Sequence, residues 1–342
     1  MDGGWQSYIG QRMVQSCIVV LACTMLVFIA TEATPGSVAR KLLGPFASAQ
    51  QVEILTQALG LNDPAYVRYF RWLGTVTGLS SVSIDPQATK NWSLQSLDTR
   101  TYFGNFGYST LYKKPVNKVL WERLANSALL AGVALAVIIP ISIAVGVLCG
   151  LNRYSLLDRT LSIVCVVTTA IPEFVWGILL ITIFVLKLGV LPGTAPLQLS
   201  GNWSIAQQLV LPALVLILVD FGYIARMVRS SVIEVANKPY VRTAVLKGLG
   251  RTEIVLKHIL RNAMIAPLTI ILLQINFLIS GVVVTEVIFA YPGFGRMLLE
   301  AALFGDIAVV QGAAIVSVVL AISTQFLGDI GYRLLNPRMR GA

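Results

Sequence analysis

The sequence predicts an all-α polytopic membrane protein, with six transmembrane helices and a long extracytoplasmic segment between the first and the second. Residues 13–31, 124–152, 263–285 and 307–328 contain no charged side chain. Each of these runs is long enough to cross a hydrocarbon core, which takes about 20 residues as helix. Of the 342 residues, 56% are hydrophobic and 12% charged, with a mean hydropathy of +0.76; soluble chains carry about 25% charge. The period-2 alternation of a barrel is missing, so only helices satisfy the peptide groups in lipid.

The first apolar run, 13–31, follows a short N terminus, 1–12. It exceeds the roughly 7–15 residues of a signal-peptide core, and Ile29-Ala30-Thr31-Glu32-Ala33-Thr34-Pro35 is a poor cleavage site, so it reads as a retained helix. Residues 32–120 are too polar and too rich in Gly, Pro and Asn to span. Within them Asn62-Asp63-Pro64, followed by Tyr66 to Leu73, reads as the capped start of an amphipathic helix whose aromatics suit the membrane interface. Residues 87–107 show no period and read as loop. The core, 121–340, holds the other five helices. In the second, Ala134, Ala136, Ala144, Gly146 and Gly150 favour close helix packing over a solute path. The third runs from 160 to 186 and carries Glu173 after Pro172; the fourth, from 206 to about 224, carries Asp220.

The net charge of +10 taken alone would suit a nucleic-acid partner, but the cations are sorted by loop. With the N terminus inside, the second-to-third loop holds Arg153 and Arg159. The fourth-to-fifth holds Arg226, Arg229, Lys238, Arg242, Lys247, Arg251, Lys257 and Arg261, and the tail adds Arg333, Arg338 and Arg340. The opposite short loops hold Lys187 and Arg296. Both termini are therefore expected in the cytoplasm, and the charge needs no nucleic acid. Cys17, Cys23, Cys149 and Cys165 lie within or beside apolar runs, which leaves no extramembrane disulfide framework. The sequence has no phosphate-cradling G-x-x-x-x-G-K-[ST] motif and one histidine, His258, so neither nucleotide chemistry nor a zinc site is expected in this chain.

The loop 226–262 is the most informative stretch. Pro239 suits the first position of a helix and Gly248 suits a left-handed stop, enclosing Tyr240 to Lys247. A second basic helix is expected over 252–261. The cations alone are explained by topology, but a short helix with small Thr243 and Ala244 at its centre is shaped to seat in a groove of another protein.

Tyr240-Val241-Arg242-Thr243-Ala244, Lys247-Gly248-Leu249 and His258-Ile259-Leu260-Arg261-Asn262-Ala263 resemble the EAA-type coupling motif of permease subunits of ATP-binding-cassette importers, in the dipeptide, oligopeptide and nickel family. Gly60-Leu61-Asn62-Asp63-Pro64 with Tyr69 and Trp72, Gly104-Asn105-Phe106-Gly107, Ala225-Arg226 with Arg229-Ser230-Ser231, Glu286-Val287-Ile288-Phe289 before Pro292-Gly293-Phe294-Gly295, and Leu334-Leu335-Asn336-Pro337-Arg338 are similar to the same family in its order. Two departures stand out: Arg242-Thr243-Ala244 replaces the usual Glu-Ala-Ala, and residues 81–100 are longer than the family's connection.

The resemblance implies the type I importer permease fold in a bacterial inner membrane. It implies a second permease subunit, two cytoplasmic ATPase subunits carrying ATP and Mg, and a periplasmic or lipid-anchored substrate-binding protein. No cofactor is expected in this chain, and no catalysis. Tyr240, Arg242, Thr243, Ala244, Lys247, Gly248 and His258 would couple to the ATPases. Peptides are the leading substrate class, with oligosaccharides, opines, glutathione or nickel as alternatives; a secondary transporter or intramembrane enzyme is the competing class.

Acids at membrane depth are candidate pathway or gate residues. Glu173 follows a proline that frees a carbonyl, and either lines a polar path or is satisfied by a neighbouring helix. Asp220, within two turns of Arg226, is expected to form an ion pair or a gate contact. Glu286 is expected to brace the turn around Phe289-Ala290-Tyr291-Pro292-Gly293.

Overall fold

The computed structural model describes residues 3–32, 48–58, 62–79, 104–197, 203–280 and 282–335. The part of the expected loop over 87–103, with Trp92, and the tail motif from Asn336 lie outside them. Among the described residues the one β pairing is an isolated bridge between Tyr108 and Pro115. The remainder is helix and short connection.

Among the described residues, five helices are long and apolar enough to span: α1 (Gly3–Glu32), α4 (Val116–Leu151), α7 (Ile205–Ala236), the stretch Ile265–Ile288 that holds α11 (Ile265–Ser280) and α12 (Val283–Ile288), and α14 (Ile307–Leu335). The sixth crossing is not the continuous helix expected over 160–186. It is a pair, α5 (Leu156–Ala170) and α6 (Glu173–Leu180), the latter continuing as a π-helix to Lys187, with a bend of 98° between them. Pro172 removes the N–H that would bond the Thr168 carbonyl, and Ile171 turns to an extended conformation with ψ 124°.

The chain divides into two compact units, residues 1–124 with 297–320, and residues 125–296 with 321–342. In the first, α2 (Ala49–Ala58) and α3 (Ala65–Val76) follow α1. Tyr69 and Trp72 of α3 pack on Phe28 of α1 with ring centroids 5.4 and 6.0 Å away, and the Tyr69 hydroxyl lies 3.0 Å from Thr24 Oγ1. The expected side-chain cap on α3 is not formed. Pro64 holds the cap position, and Asp63 instead accepts from Arg71 at 2.5 Å. Asp306, buried ahead of α14, accepts from Ser109 Oγ at 2.6 Å and from the Leu111 N–H at 2.9 Å, which ties the 104–115 turn to that helix.

In the second unit, the apolar core is centred on α7, where Leu211, Val215, Ile224, Val228 and Val232 have almost no exposed surface. The small residues of α4 serve this packing. A Cβ on Gly146 would stand 2.5 Å from Val228 Cβ, and one on Gly150 2.7 Å from Val232 Cγ1. Such approach is what glycine allows between helices in lipid. Helix α7 also runs farther than expected, to Ala236, so Arg226 and Arg229 belong to a helix and not to a loop.

Candidate functional site: the α8 segment and the acids of the helix bundle

Pro239 opens α8 (Pro239–Leu246) at its first position, after Lys238 in an extended conformation. At the other end Gly248 has φ +74°, its N–H reaches Val245 O at 3.0 Å, and the Leu249 N–H reaches Ala244 O at 3.4 Å. This is the Schellman arrangement, which needs a residue that tolerates the left-handed region. Val241 and Ala244 are buried against their own chain. Ala244 is thus a packing residue, and the outer surface of α8 is made by Tyr240, Arg242, Thr243 and Lys247 with exposed Val245 and Leu246. Leu246 is 80% exposed beside Val245 at 57%.

The second basic helix differs from expectation in its winding. It runs as α9 (Arg251–Glu253), a π-helix over Ile254–Leu260, and α10 (Arg261–Ala263). His258 lies half-buried in the wide turn, a form of helix concentrated at functional sites. Lys257 Nζ donates to Glu253 at 2.9 Å and holds that carboxylate below its ordinary range.

Glu286 in α12 is 1% exposed and fully engaged. Its Oε1 accepts from Ser127 Oγ at 2.5 Å and its Oε2 from the Arg296 N–H at 2.7 Å. The turn that follows closes on the Glu286 carbonyl through the Tyr291 N–H at 2.8 Å, and Tyr291 donates its hydroxyl to Asn126 O at 2.5 Å. A Cβ on Gly293 would fall on the Glu286 carboxylate, so the glycine of Pro292-Gly293-Phe294 is the space the acid occupies. Ser127 also accepts from the Phe294 N–H at 2.7 Å, at the start of α13 (Phe294–Phe304).

Glu173 opens α6 and accepts from the Thr285 N–H at 2.9 Å and from the Thr285 hydroxyl. Asp220, 6% exposed, accepts from Gln274 Nε2 at 2.7 Å. It makes no ion pair with Arg226, whose guanidinium turns back along α7 to Gly222 O at 3.2 Å and to Thr169 Oγ1 at 3.2 Å. Six residues apart, the two side chains leave α7 about 120° apart, so Arg226 faces α5 and Asp220 faces α11. Glu173 of α6 is thus bonded to Thr285, the residue before Glu286 on α12, while Asp220 of α7 is bonded to Gln274 of α11. Among the described residues, no group of three His, Cys, Asp or Glu is placed to hold a metal ion.

Sequence reasoning missed the long-range ion pair between Asp158 and Arg229. Arg229 donates through Nε at 2.6 Å and Nη2 at 2.8 Å to the two oxygens of Asp158, whose side chain is 4% exposed. Ser155-x-x-Asp158 was readable as a helix start, and Ser155 Oγ does accept from the Asp158 N–H. The partner, 71 residues away, left no local signal.

The chain is similar to the oligopeptide transport system permease protein AppB of Bacillus subtilis (strain 168), at 32% identity over 337 residues, 97% of this chain and 99% of that protein. It is 30% identical over 334 residues to the glutathione transport system permease protein GsiC of Salmonella paratyphi A, covering 98% and 99%. A solved structure of the MetNI methionine ABC transporter in an inward-facing conformation shares the fold, with a TM-score of 0.52 at 19% identity over 64% of this chain and 97% of that one. The family described as binding-protein-dependent transport system inner membrane component matches residues 142–341, and its N-terminal companion matches residues 6–131.

Proposed function

The chain belongs to the family of inner membrane components of binding-protein-dependent transport systems; from that premise we propose that it forms, with a second permease subunit, the path by which peptides enter the cytoplasm at the expense of ATP hydrolysed elsewhere. Two cytoplasmic ATPases dock below the pair of permeases, one of them on α8, and a periplasmic or lipid-anchored protein delivers the solute. ATP and Mg belong to the ATPases. The names of the relatives AppB and GsiC favour peptides as the cargo, glutathione being itself a small peptide.

The observation that carries this reading is the outer face of α8. An eight-residue helix held from behind by Val241 and Ala244, stopped by Gly248, presents Tyr240, Thr243, Lys247 and Leu246 outward at a fixed angle. Short helices docked in grooves transmit force as rigid elements. Placement of both termini in the cytoplasm rests on the cations of 226–261, and cysteine-accessibility labelling from either side tests it.

Coupling is tested by deleting residues 240–248, or by Leu246→Glu, in cells carrying the whole system. The ATPases then fail to co-purify, or ATP-driven uptake of a labelled dipeptide is lost. Unchanged uptake in either variant removes α8 from the coupling role.

A further inference from the structure

Helices α5 and α7 lie antiparallel and are joined at three places. At one end stands the Asp158 and Arg229 fork; two turns away, Gly222 lets the α5 backbone close in at the Cys165 carbonyl; Arg226, which lies between them on α7, turns back along its helix past Gly222 and donates to Thr169 Oγ1 at 3.2 Å, near the end of α5. Asp158 to Cys165 and Gly222 to Arg229 are equal steps of two helical turns, so these two backbone-level contacts keep register along both helices, and the long Arg226 side chain adds a third tie out of that register. The Asp158 carboxylate is saturated: besides both Arg229 nitrogens it accepts from the Tyr154 N–H at 3.0 Å and from Ser162 Oγ at 3.4 Å. Tyr154 is held at φ +67°, so the turn that enters α5 is fixed as well.

A buried ion pair is weak evidence for stability, since apolar residues of the same volume often do as well. What a fork adds is direction. Apolar ridges slide past one another in shear, whereas a planar guanidinium on two carboxylate oxygens fixes the axial position. The place of this fork gives that property a use. Arg229 stands two turns before α7 ends at Ala236 and three residues later α8 begins; Thr169, at the other end of the contact, stands next to the last residue of α5, immediately before the 98° bend into α6.

We infer that Asp158 and Arg229 are positioning residues that make α5 and α7 one lever, carrying displacement of α8 to the bend between Ala170 and Glu173. The inference rests on the coupling role proposed for α8. Movement at α8 then reaches α6, whose Glu173 grips Thr285 of α12. Without the fork, α7 follows the ATPases while α5 lags, so ATP is hydrolysed without reorienting the path.

The test uses the complete transporter, with both permeases, the ATPases and the binding protein, in proteoliposomes. Arg229→Lys keeps the charge but not the fork, and Asp158→Asn keeps the shape but not the charge. Both are expected to assemble and hydrolyse ATP at close to the parental rate, while peptide taken up per ATP falls about tenfold, a usual size for coupling between sites. Unchanged uptake per ATP in an assembled variant overturns the lever.

Should either variant fail to assemble, Asp158→Cys with Arg229→Cys is made in a background with Cys17, Cys23, Cys149 and Cys165 replaced by alanine. Bridging the new pair with a short bis-methanethiosulfonate restores the tie without charge, and recovery of uptake per ATP upholds the inference. A bridged transporter that hydrolyses ATP and stays uncoupled overturns it. Leu246→Glu, assayed in parallel, separates the two readings. If it uncouples and the fork variants do not, only the lever is lost; if it leaves uptake intact, the role of α8 falls and the lever with it.

Discussion

Trp176 donates its indole N–H to the Thr168 carbonyl at 3.0 Å, the same carbonyl that Pro172 leaves without a helical donor. The bend between α5 and α6 is therefore a satisfied structure, closed by a side chain one turn beyond the break. In lipid no water stands ready to take the place of that donor.

Trp176→Phe keeps most of the ring and removes the donor. Stability should fall by about 1–3 kcal/mol, the usual cost of one buried unpaired polar group. Thermal unfolding of the detergent-solubilised transporter measures it, and a midpoint equal to the parent would show that the indole bond is dispensable.

Gly293→Ala sets a methyl group on the Glu286 carboxylate, which has no free direction because Ser127 and the Arg296 N–H hold both oxygens. The expected loss is about 1–3 kcal/mol, as for other overpacked cores. The double variant with Glu286→Ala should lose less than the sum of the two single variants, because the collision is then gone. Strict additivity in the unfolding midpoints would place the collision elsewhere.

Gly248→Ala meets no neighbouring atom, so its effect is purely conformational. A residue with a Cβ in the left-handed region costs about 1–2 kcal/mol, enough to loosen the last turn of α8. Hydrogen exchange at the amides of Lys247 to Leu249 should rise, with Gly248→Asn less affected than Gly248→Ala because asparagine tolerates that conformation.

Thr24 and Tyr69 join a spanning helix to α3 through one hydroxyl pair. A double-mutant cycle with Thr24→Val and Tyr69→Phe should return a coupling energy of about 0.5–1.5 kcal/mol. A value near zero would leave the aromatic packing of Tyr69 and Trp72 on Phe28 as the sole tie.

The spans that hydropathy delimits by an uncharged run, such as 307–328, are helices in the structure because in lipid a helix satisfies every peptide group within the segment, a demand that overrides the low helix propensity of their many Val and Ile residues. Pro239 and Gly248 likewise mark the ends of α8, since each residue type has one conformational preference that matters locally. What was not legible depends on distance along the chain. Pro172 announced a freed carbonyl but not that Trp176 would supply its donor, or that the helix would turn through 98°. Asp220 and Arg226 are near in sequence yet do not pair with each other, because a six-residue step sets them about 120° apart around α7 and so against different neighbours. The Asp306 clamp on Ser109 and the Asp158 fork are separated by 197 and 71 residues, and no periodicity encodes such pairings.

The matched spacing of the contacts on α5 and α7 has a bearing on how such a chain can vary. One residue inserted into either helix between its contacts would rotate everything beyond it by about 100° and carry a fork partner off the shared face. Point substitutions on the outer faces of these helices are free to drift, while their lengths are tied together. Length changes in this region are therefore expected in the connections, and a change within one helix calls for a matching change in the other.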